Sequence, residues 1–328
     1  MSFFDNKTIL ITGGCGSFGQ KFAQVVLRDH SPQSLRVYDH DEFGLVEMER
    51  AMPDSRIRFL LGDVRDKERL SRAMNGVEIV VHAAALKHVP VCEYNPIEAA
   101  KTNIDGAKNV IDAALDNAVD RVMAVSTDKA VYPVNLYGAT KMVAEKLFTQ
   151  GNVYRGGQGR TTKFSCARYG NVIGSNGSVI PLFVEQRKSG EITLTDERMT
   201  RFWIDLEEGV QFVIRSIEQM EGGEIFVPRL PSMKMVDLVE VIAPGASRRI
   251  IGIRPGEKLH EALITPEEAD RTIQFSDHYV IAPAFPFWGS GNHQEGTQVS
   301  SDFFYASHTN DWWLTREEMY LLCKEFLI

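Results

Sequence analysis

Side chains that can exchange protons are concentrated in one stretch of the chain, where Thr127, Asp128 and Lys129 are followed by Tyr137 and Lys141. A Tyr-x-x-x-Lys spacing puts both side chains on one face of a helix, one turn apart. An ammonium beside a phenol lowers a pKa that starts near ~10. The spacing therefore predicts that Tyr137 removes the proton of a secondary alcohol while a hydride leaves the same carbon, with Thr127 bonded to the same oxygen.

Asp128 and Lys129 exceed what a simple alcohol dehydrogenase needs. A new ketone acidifies the neighbouring C–H group, and a buried lysine whose pKa falls can remove that proton. A carboxylic acid kept protonated can then expel a β-hydroxyl as water. The alternative is an exposed ion pair at a strand end, but doubly wound sheets bind ligands at the carboxyl ends of their strands. We therefore expect a dehydration.

A glycine-rich segment at residues 12–19 joins a predicted strand to a predicted helix. Gly13, Gly16 and Gly19 lie where the chain must turn tightly, approach a pyrophosphate and pack a helix on a strand. Main-chain N–H groups at the start of such a helix hold phosphates. This segment, including Ser17 and Phe18, is therefore predicted to bind a dinucleotide.

Asp39 lies twenty residues beyond Gly19, at the end of the second predicted strand. A carboxylate there accepts hydrogen bonds from the adenosine ribose and repels a 2′-phosphate, which favours NAD over NADP. The alternative for Asp39 is a turn residue. The remaining residues predicted to border the cofactor are His40, Asp63, Val64, Ala83, Ala84, Ala85, Lys141 and Tyr169.

Strand and helix patterns alternate through the first half of the chain. This order predicts βαβ units and an α/β, doubly wound parallel sheet of the Rossmann type. We expect residues 1–173 to form the dinucleotide-binding domain, with 206–228 returning to it. Residues 174–328 are expected to form mainly a smaller, partly interleaved substrate-binding cap. The predicted strands are 8–12, 34–39, 57–63, 78–83, 121–126 and 162–169, and residues 285–299 are predicted to be a loop.

Composition excludes several classes of protein. The 328 residues are 44% hydrophobic and 24% charged, which is typical of a soluble globular protein. The net charge is −8 without a basic block, so we expect no nucleic-acid partner, and an anionic substrate must meet local cations. The scattered cysteines predict no metal site, and the absence of a signal peptide or a long apolar run predicts a cytoplasmic protein without a membrane partner.

The chain resembles the extended short-chain dehydrogenase/reductases, and within them the UDP-N-acetylglucosamine 4,6-dehydratases of the polysaccharide-biosynthesis type. Residues 86–90 and 127–129 are specific to this branch. Sugar dehydratases acting on deoxythymidine-diphosphate glucose carry Asp-Glu in place of Asp128-Lys129. The matching segments are 9–19, 62–66, 82–90, 93–96, 101–103, 126–141, 167–172, 199–203 and 254–259.

The resemblance implies a reaction route. Tyr137 takes the proton of the carbon-4 hydroxyl, Lys129 removes the carbon-5 proton, and Asp128 protonates the departing carbon-6 hydroxyl. The hydride returns to carbon 6, so a tightly bound NAD or NADP is regenerated in each turnover. Tyr137 resembles the branch that inverts carbon 5, which we favour, whereas Asp39-His40 looks more like the retaining group.

The resemblance also implies a nucleotide-sugar site and a homo-oligomer. Arginine forks match phosphate oxygens, so two arginines are candidates for the diphosphate; for Arg201 the alternative is an ion pair with Asp205. The predicted substrate residues are Lys87, His88, Asn171, Arg201, Arg254 and Glu257. Two other functions remain open: a nucleotide-sugar 4-epimerase, and a non-catalytic NAD-binding regulator.

Overall fold

The computed structural model describes residues 2–155, 162–175, 177–288, 293 and 295–327. The strands are β1 Thr8–Thr12, β2 Ser34–Asp39, β3 Ile57–Leu61, β4 Ile79–His82, β5 Arg121–Thr127, β6 Lys163–Tyr169, β7 Asn171–Val172, β8 Glu191–Leu194, β9 Thr200–Ile204, β10 Ile225–Pro228, β11 Ser232–Lys234, β12 Ser247–Ile250, β13 Ala262–Ile264, β14 Thr272–Gln274, β15 His278–Ile281, β16 Thr297–Gln298 and β17 Tyr305–Ala306.

Helices connect most of the parallel strands. They are α1 Ser17–Asp29, α2 Glu42–Ala51, α3 Lys67–Met74, α4 Val89–Tyr94, α5 Pro96–Ala100, α6 Gly106–Asp116, α7 Leu136–Gly151, α8 Val179–Arg187, α9 Leu206–Gln219, α10 Met235–Ile242, α11 Pro266–Ala269 and α12 Arg316–Cys323. A short 3₁₀ turn at Asp128–Ala130 directly follows β5. Among the described residues, every helix is too short or too polar to cross a lipid bilayer.

Ten strands of the described chain form one sheet in the order β16-β14-β15-β10-β6-β5-β4-β1-β2-β3. The seven strands from β10 to β3 are parallel. Strands β1 and β4 are buried along their whole length, as expected when helices cover both faces of a parallel sheet. The predicted doubly wound α/β fold is confirmed.

The second half of the chain contributes to this sheet more than the sequence predicts. β10 pairs with β6, and α9 contributes buried side chains to the same core, as expected for residues 206–228. However, β14, β15 and β16 also extend the sheet, as antiparallel strands within the region predicted to be mainly cap. The predicted loop at 285–299 thus contains β16; residues 289–292 and 294 of that loop lie outside the described residues.

A second core lies in the C-terminal half, where residues of α8, α10 and α12 pack with β8 and β9. Trp203 on β9 is almost fully buried there. Two small sheets, β7-β9-β11 and β8-β12, cover this core. The division into two domains at residue 173 stays a prediction.

A buried ionic network positions α7 against the sheet. The guanidinium of Arg168, on β6, donates two hydrogen bonds of 3.0 and 2.8 Å to Glu145 of α7. It donates two more, of 2.9 and 3.0 Å, to Glu268 of α11. Because an unpaired buried charge is costly, these contacts strongly favour one placement of α7.

Candidate active site

A cleft of about 1150 Å³ lies at the carboxyl ends of the parallel strands, where doubly wound sheets bind ligands. Most of the predicted site residues line it. These are Gly13, Gly16, Ser17, Phe18, Asp39, His40, Asp63, Val64, Ala83, Ala84, Ala85, Lys87, His88, Thr127, Lys129, Tyr137, Lys141, Tyr169 and Asn171. Five predicted residues do not line it: Gly19, Asp128, Arg201, Arg254 and Glu257.

The glycine-rich loop has the form expected of a phosphate-binding turn. Gly13 has a φ of +69°, and a Cβ there would lie 2.7 Å from the main-chain nitrogen of Ala84. At Gly19 a Cβ would lie 2.6 Å from the carbonyl oxygen of Gly13. Gly19 itself does not line the cleft; because it has no side chain, α1 can pack against the loop. The first turn of α1, which begins at Ser17, contains no acidic residue that would repel a phosphate.

Asp39 connects the glycine-rich loop to the end of β2. Its carboxylate accepts hydrogen bonds from the main-chain N–H groups of Cys15, at 2.9 Å, and Asp41, at 3.1 Å. The Nδ1 atom of His40 lies 3.2 Å from the same carboxylate. An anionic group thus lies in the cleft after β2, and together with the space left by Gly13 it fits an adenosine dinucleotide.

Asp63 also lines the cleft, but its carboxylate is engaged by Arg65. The side chain of Arg65 donates hydrogen bonds of 2.8 and 2.6 Å to Asp63, and its main-chain N–H donates one of 2.9 Å. The turn at residues 62–65 thus lines the cleft with an acidic side chain that is already paired.

Tyr137 and Lys141 share one face of α7, as the spacing predicts, but their electrostatics differ from the prediction. Burial raises the pKa of Tyr137 to about 12, and the cation that opposes this shift is Lys129. The ammonium of Lys141 donates to the carbonyl of Val125 at 2.7 Å, and burial lowers its pKa. The cation among the main influences on this phenol is Lys129, so the lowering of its pKa by Lys141 stays a prediction.

The end of β5 and the 3₁₀ turn after it bring a hydroxyl, a carboxylate and an ammonium together. The Oδ1 atom of Asp128 accepts hydrogen bonds from Thr127 Oγ1 and Lys129 Nζ, both at 2.9 Å. Lys129 Nζ also donates to Asn171 Oδ1 at 3.2 Å. Asp128 is fully buried, and its Oδ2 atom has no hydrogen-bond partner in the described part of the chain.

The pKa of Lys129 moves opposite to the predicted direction. Burial alone would lower it, but the carboxylates of Asp128 and Glu261 outweigh burial and hold the pKa above its ordinary value. Glu261 Oε1 lies 3.9 Å from Lys129 Nζ. The prediction that the pKa of Lys129 is lowered is thus wrong for the protein without ligand, because the buried carboxylates of Asp128 and Glu261 both face its ammonium.

The predicted substrate residues divide into two groups. Lys87 and His88 line the cleft after β4, and partial desolvation together with the charge of Lys129 lowers the pKa of Lys87. Asn171, on β7, also lines the cleft and pairs in the sheet with Trp203 of β9. Lys87 thus brings a cationic side chain to the cleft, where an anionic substrate needs one.

Arg201 is a correction to the predicted substrate site. Its guanidinium donates to the carbonyl groups of Thr200, Lys258 and Leu259 at 2.7, 2.9 and 3.0 Å. The ion pair with Asp205 is not formed either, since Asp205 caps α9 by accepting from the N–H of Glu207. Because its donors already serve main-chain carbonyls, Arg201 is placed as a structural residue and not as a diphosphate ligand.

Arg254 and Glu257 lie on the loop between β12 and β13, away from the cleft wall. Arg254 is exposed, and its Nη1 atom is 3.8 Å from Glu257 Oε1. This loop is held against α7 by a 2.7 Å hydrogen bond from Asn135 Nδ2 to the carbonyl of Gly256. The two residues are thus near the helix of Tyr137, but the structure does not bring them to the predicted site.

Several residues at or near the cleft were not predicted from the sequence, among them Ser126, Trp203 and Glu261. Ser126 and Trp203 line the cleft, and Ser126 Oγ and Trp203 Nε1 are buried without a hydrogen-bond partner among the described residues. The Oε1 atom of Glu261 lies 3.9 Å from Lys129 Nζ. Ser126 and Trp203 lie within the matching segments 126–141 and 199–203, and Glu261 follows the segment 254–259. Their position in or beside these segments is the signal that could have identified them. No cluster of His, Cys, Asp and Glu that could hold a metal ion occurs in the described residues.

Comparison with protein-family models matches residues 9–283 to the family described as polysaccharide biosynthesis protein. The chain belongs to this family. Among its curated relatives is the UDP-N-acetylglucosamine 4,6-dehydratase (inverting) of Campylobacter jejuni, which is 48% identical over 325 residues, covering 96% of this chain and 97% of the relative.

Other similar proteins carry different names. A UDP-glucose 4-epimerase of Rickettsia prowazekii is 40% identical over 287 residues, covering 85% of this chain and 83% of the relative. The solved structure of Pen from Bacillus thuringiensis superimposes with a TM-score of 0.91 at 36% identity, covering 99% of this chain and 100% of that one. Similar proteins thus match this chain along nearly its whole length.

Proposed function

We propose that this chain is a nucleotide-sugar 4,6-dehydratase that converts UDP-N-acetylglucosamine to a 4-keto-6-deoxy sugar, with inversion at carbon 5. The observation that carries the proposal is the 2.9 Å hydrogen bond between Lys129 and the buried Asp128, beside a cleft that Lys129, Tyr137 and Thr127 line. A redox enzyme without elimination has no use for that pair. The name of the Campylobacter relative supports both the substrate and the inversion.

The cofactor proposed for this cleft is NAD, bound tightly and regenerated in each turnover. The glycine-rich loop leaves room for a pyrophosphate. The Asp39 carboxylate suits the 2′-hydroxyl of the NAD ribose better than the 2′-phosphate of NADP. Lys141 and Tyr169 border the same region. When bound, the cofactor supplies a positive charge, a hydride acceptor for carbon 4 and a hydride donor for carbon 6.

Tyr137 is the residue that takes the proton from the carbon-4 hydroxyl. Its pKa of about 12 keeps the phenol protonated at neutral pH unless cations in the cleft lower it. Lys129 is one such cation, and a hydrogen bond with Thr127 acts in the same direction. Thr127 also orients the sugar oxygen that loses its proton.

The Asp128–Lys129 pair supplies both the acid and the base for the elimination. A proton that moves from Lys129 Nζ to Asp128 Oδ1 along their hydrogen bond converts an ammonium and a carboxylate into an amine and a carboxylic acid. The amine then takes the carbon-5 proton, and the electron pair of that C–H bond forms the carbon 5–carbon 6 double bond. Because Asp128 is buried, its proton reaches the carbon-6 hydroxyl through the hydroxyl of Thr127, which lines the cleft and is bonded to Asp128; the carbon-6 hydroxyl leaves as water and the ion pair is restored.

Completion of the reaction returns a proton to carbon 5 and resets the protonation of the site residues. As hydride reaches carbon 6, carbon 5 takes a solvent proton on the face opposite Lys129, which inverts that carbon, and Lys129 releases the proton that it removed. The proton that Tyr137 gained can pass to the pair through Thr127, whose hydroxyl is bonded to Asp128. Water is the net by-product, with no change in the redox state of the protein.

Incubation of the purified protein with UDP-N-acetylglucosamine, without added oxidant, tests this function. Mass spectrometry should show a product lighter by one water, and proton NMR should show a new methyl group and the inverted configuration at carbon 5. Substrate that binds but loses no water would contradict the proposal, and recovery of a 4-epimer would favour the epimerase. A cytoplasmic location and a homo-oligomeric assembly stay predictions.

A further inference from the structure

Glu261 is a buried carboxylate surrounded by three cations. Its Oε2 atom lies 2.8 Å from Lys258 Nζ, and its Oε1 atom lies 3.9 Å from both Lys129 Nζ and Arg201 Nε. The side chain is only 4% exposed. Its main chain is fixed by two hydrogen bonds with Ser307, so the carboxylate is held in place from behind.

We propose that Glu261 is a positioning residue that acts through Lys129, as the counter-charge that governs how readily Lys129 gives up its proton. This inference rests on the proposed function, in which Lys129 is the base. It assigns Glu261 no contact with the sugar and no proton transfer of its own.

The two carboxylates beside Lys129 differ in distance, and this separates their roles. Asp128 is within hydrogen-bond distance, at 2.9 Å, so it can accept the proton. Glu261, at 3.9 Å, is too far for a hydrogen bond but near enough for a Coulomb attraction, which the burial of its own carboxylate strengthens. Glu261 therefore stabilises the ammonium without competing for its proton.

Glu261 stays ionised because its other neighbours are cations. Burial alone would raise the pKa of its carboxyl, but Lys129, Arg201 and Lys258 together hold the pKa below its usual value. Lys258 also donates to the carbonyl groups of Asp128 and Val131, at 3.3 and 2.8 Å. The carboxylate is thereby tied to the turn that carries the base, so its distance from Lys129 is constrained.

The pH at which Lys129 loses its proton depends on the charged and titratable groups that face it. Asp128 and Glu261 stabilise the ammonium, whereas Arg201 opposes it. Lys87 faces Lys129 from the turn after β4, and Tyr137 faces it from α7. Of these groups, Glu261 and Arg201 come from the C-terminal half, and Glu261 is the anion that can be removed without removing the proposed acid.

Exchange of the carbon-5 proton in D₂O isolates this step. The probe is the 4-keto-6-deoxy nucleotide sugar that keeps the substrate's configuration at carbon 5, prepared with a retaining dehydratase, so that its carbon-5 proton faces Lys129; exchange requires the base but no hydride transfer. The wild-type rate, followed by proton NMR, should rise with pH through the midpoint at which Lys129 loses its proton. In Glu261→Gln that midpoint should fall by about one pH unit or more, because an opposite charge near Lys129 is lost.

Three further variants separate charge from structure. Glu261→Asp keeps the charge and should return the midpoint towards the wild-type value. Lys258→Met removes a cation next to Glu261 and should move the midpoint upward. Glu268→Gln removes another buried carboxylate, the one held by Arg168, and should lower stability without moving the midpoint.

An unchanged midpoint in folded Glu261→Gln, or a uniform loss of rate at every pH, would overturn the inference. Should Glu261→Gln fail to fold, the upward shift in Lys258→Met decides, and its absence counts equally against the inference. Failure of the wild-type protein to dehydrate UDP-N-acetylglucosamine is a different result, which overturns the proposed function and this inference with it.

Discussion

Asp128 and Lys129 are adjacent in sequence but differ sharply in their access to the cleft. The Asp128 side chain is 0% exposed, whereas that of Lys129 is 29% exposed and lines the cleft. The acid is thus kept from water while the amine can reach a ligand. A buried ion pair is a weak source of stability, which agrees with a role for this pair in chemistry.

Replacement of Lys129 tests the role of the base at this scale. Lys129→Ala should lower the rate of dehydration by about 10²–10⁴-fold while the bound cofactor is retained, because a general base contributes about that much. Turnover is measured by mass spectrometry, and cofactor content by release from denatured protein.

Lys129→Arg is the matched control for that experiment. Arginine keeps a cation beside Asp128 but does not lose its proton in proteins, so this variant should be as inactive as Lys129→Ala. Substantial dehydration by Lys129→Arg would show that the cation is needed only as an ion-pair partner.

The identity of the reacting residues was predictable, but their electrostatics were not. The types and spacing of Thr127, Lys129 and Tyr137 correctly predict that they line one cleft with the glycine-rich loop. Their pKa directions depend on neighbours distant in sequence, above all Glu261, which approaches Lys129 only through the fold. Arg201 was misassigned for the same reason, because the carbonyl groups that engage it lie on the loop before β13.

At the scale of elements, the cofactor region depends on a close approach between two strand ends. The turn after β1 passes the turn after β4 so closely that Gly13 has no room for a side chain next to Ala84. The hydroxyl of Thr12, at the end of β1, is 2.8 Å from His82 Nδ1 and contacts the N–H of Ala84 at 3.4 Å. These contacts place the start of α1 at the cleft.

Gly13→Ala should abolish retention of the dinucleotide, because the new Cβ would lie 2.7 Å from a main-chain nitrogen and force the loop to move. Gly76→Ala is a matched control, since Gly76 has the same φ of +69° but nothing within 4 Å of the added Cβ. Gly76→Ala should lose only the modest stability that the strained φ costs, and Gly13→Ala should lose more because its Cβ also clashes with main chain. Cofactor content after purification distinguishes them, and equal retention in both would contradict this account of the loop.

The predictability of the elements follows from their length and pattern. The central parallel strands are continuous apolar runs separated by helices, and their order could be inferred from the rules for βαβ units. Strands β14 and β16 have only three and two residues and lie at the edge of the sheet, too short to show an alternating pattern. Their pairing depends on contacts with β15 that sequence periodicity does not reveal.

At the scale of the whole molecule, the sheet and the C-terminal core are connected repeatedly. The chain leaves the sheet after β6, returns at β10, leaves again and returns at β14. Unfolding of either core would therefore also disturb strands that stabilise the other core. The cleft lies where these crossings meet, with the glycine-rich loop on one side and Trp203 of the second core on the other.

We expect the two cores to unfold together despite the size of the chain. All four tryptophans lie in the C-terminal half, at 203, 288, 312 and 313, so their fluorescence reports on that half. Far-UV circular dichroism reports on the helices and strands of both. Urea unfolding curves from the two probes should have the same midpoint, and clearly separated midpoints would show that the cores are independent.

Transfer of deuterium within the sugar tests the central claim most directly. UDP-N-acetylglucosamine labelled with deuterium at carbon 4 is incubated with the protein, and the product is examined by NMR and mass spectrometry. If oxidation at carbon 4 is followed by elimination through Lys129 and Asp128, the deuterium should appear in the methyl group at carbon 6 of a product that has lost water. Deuterium that remains at carbon 4 of an isomer with no loss of water would contradict the account and indicate an epimerase.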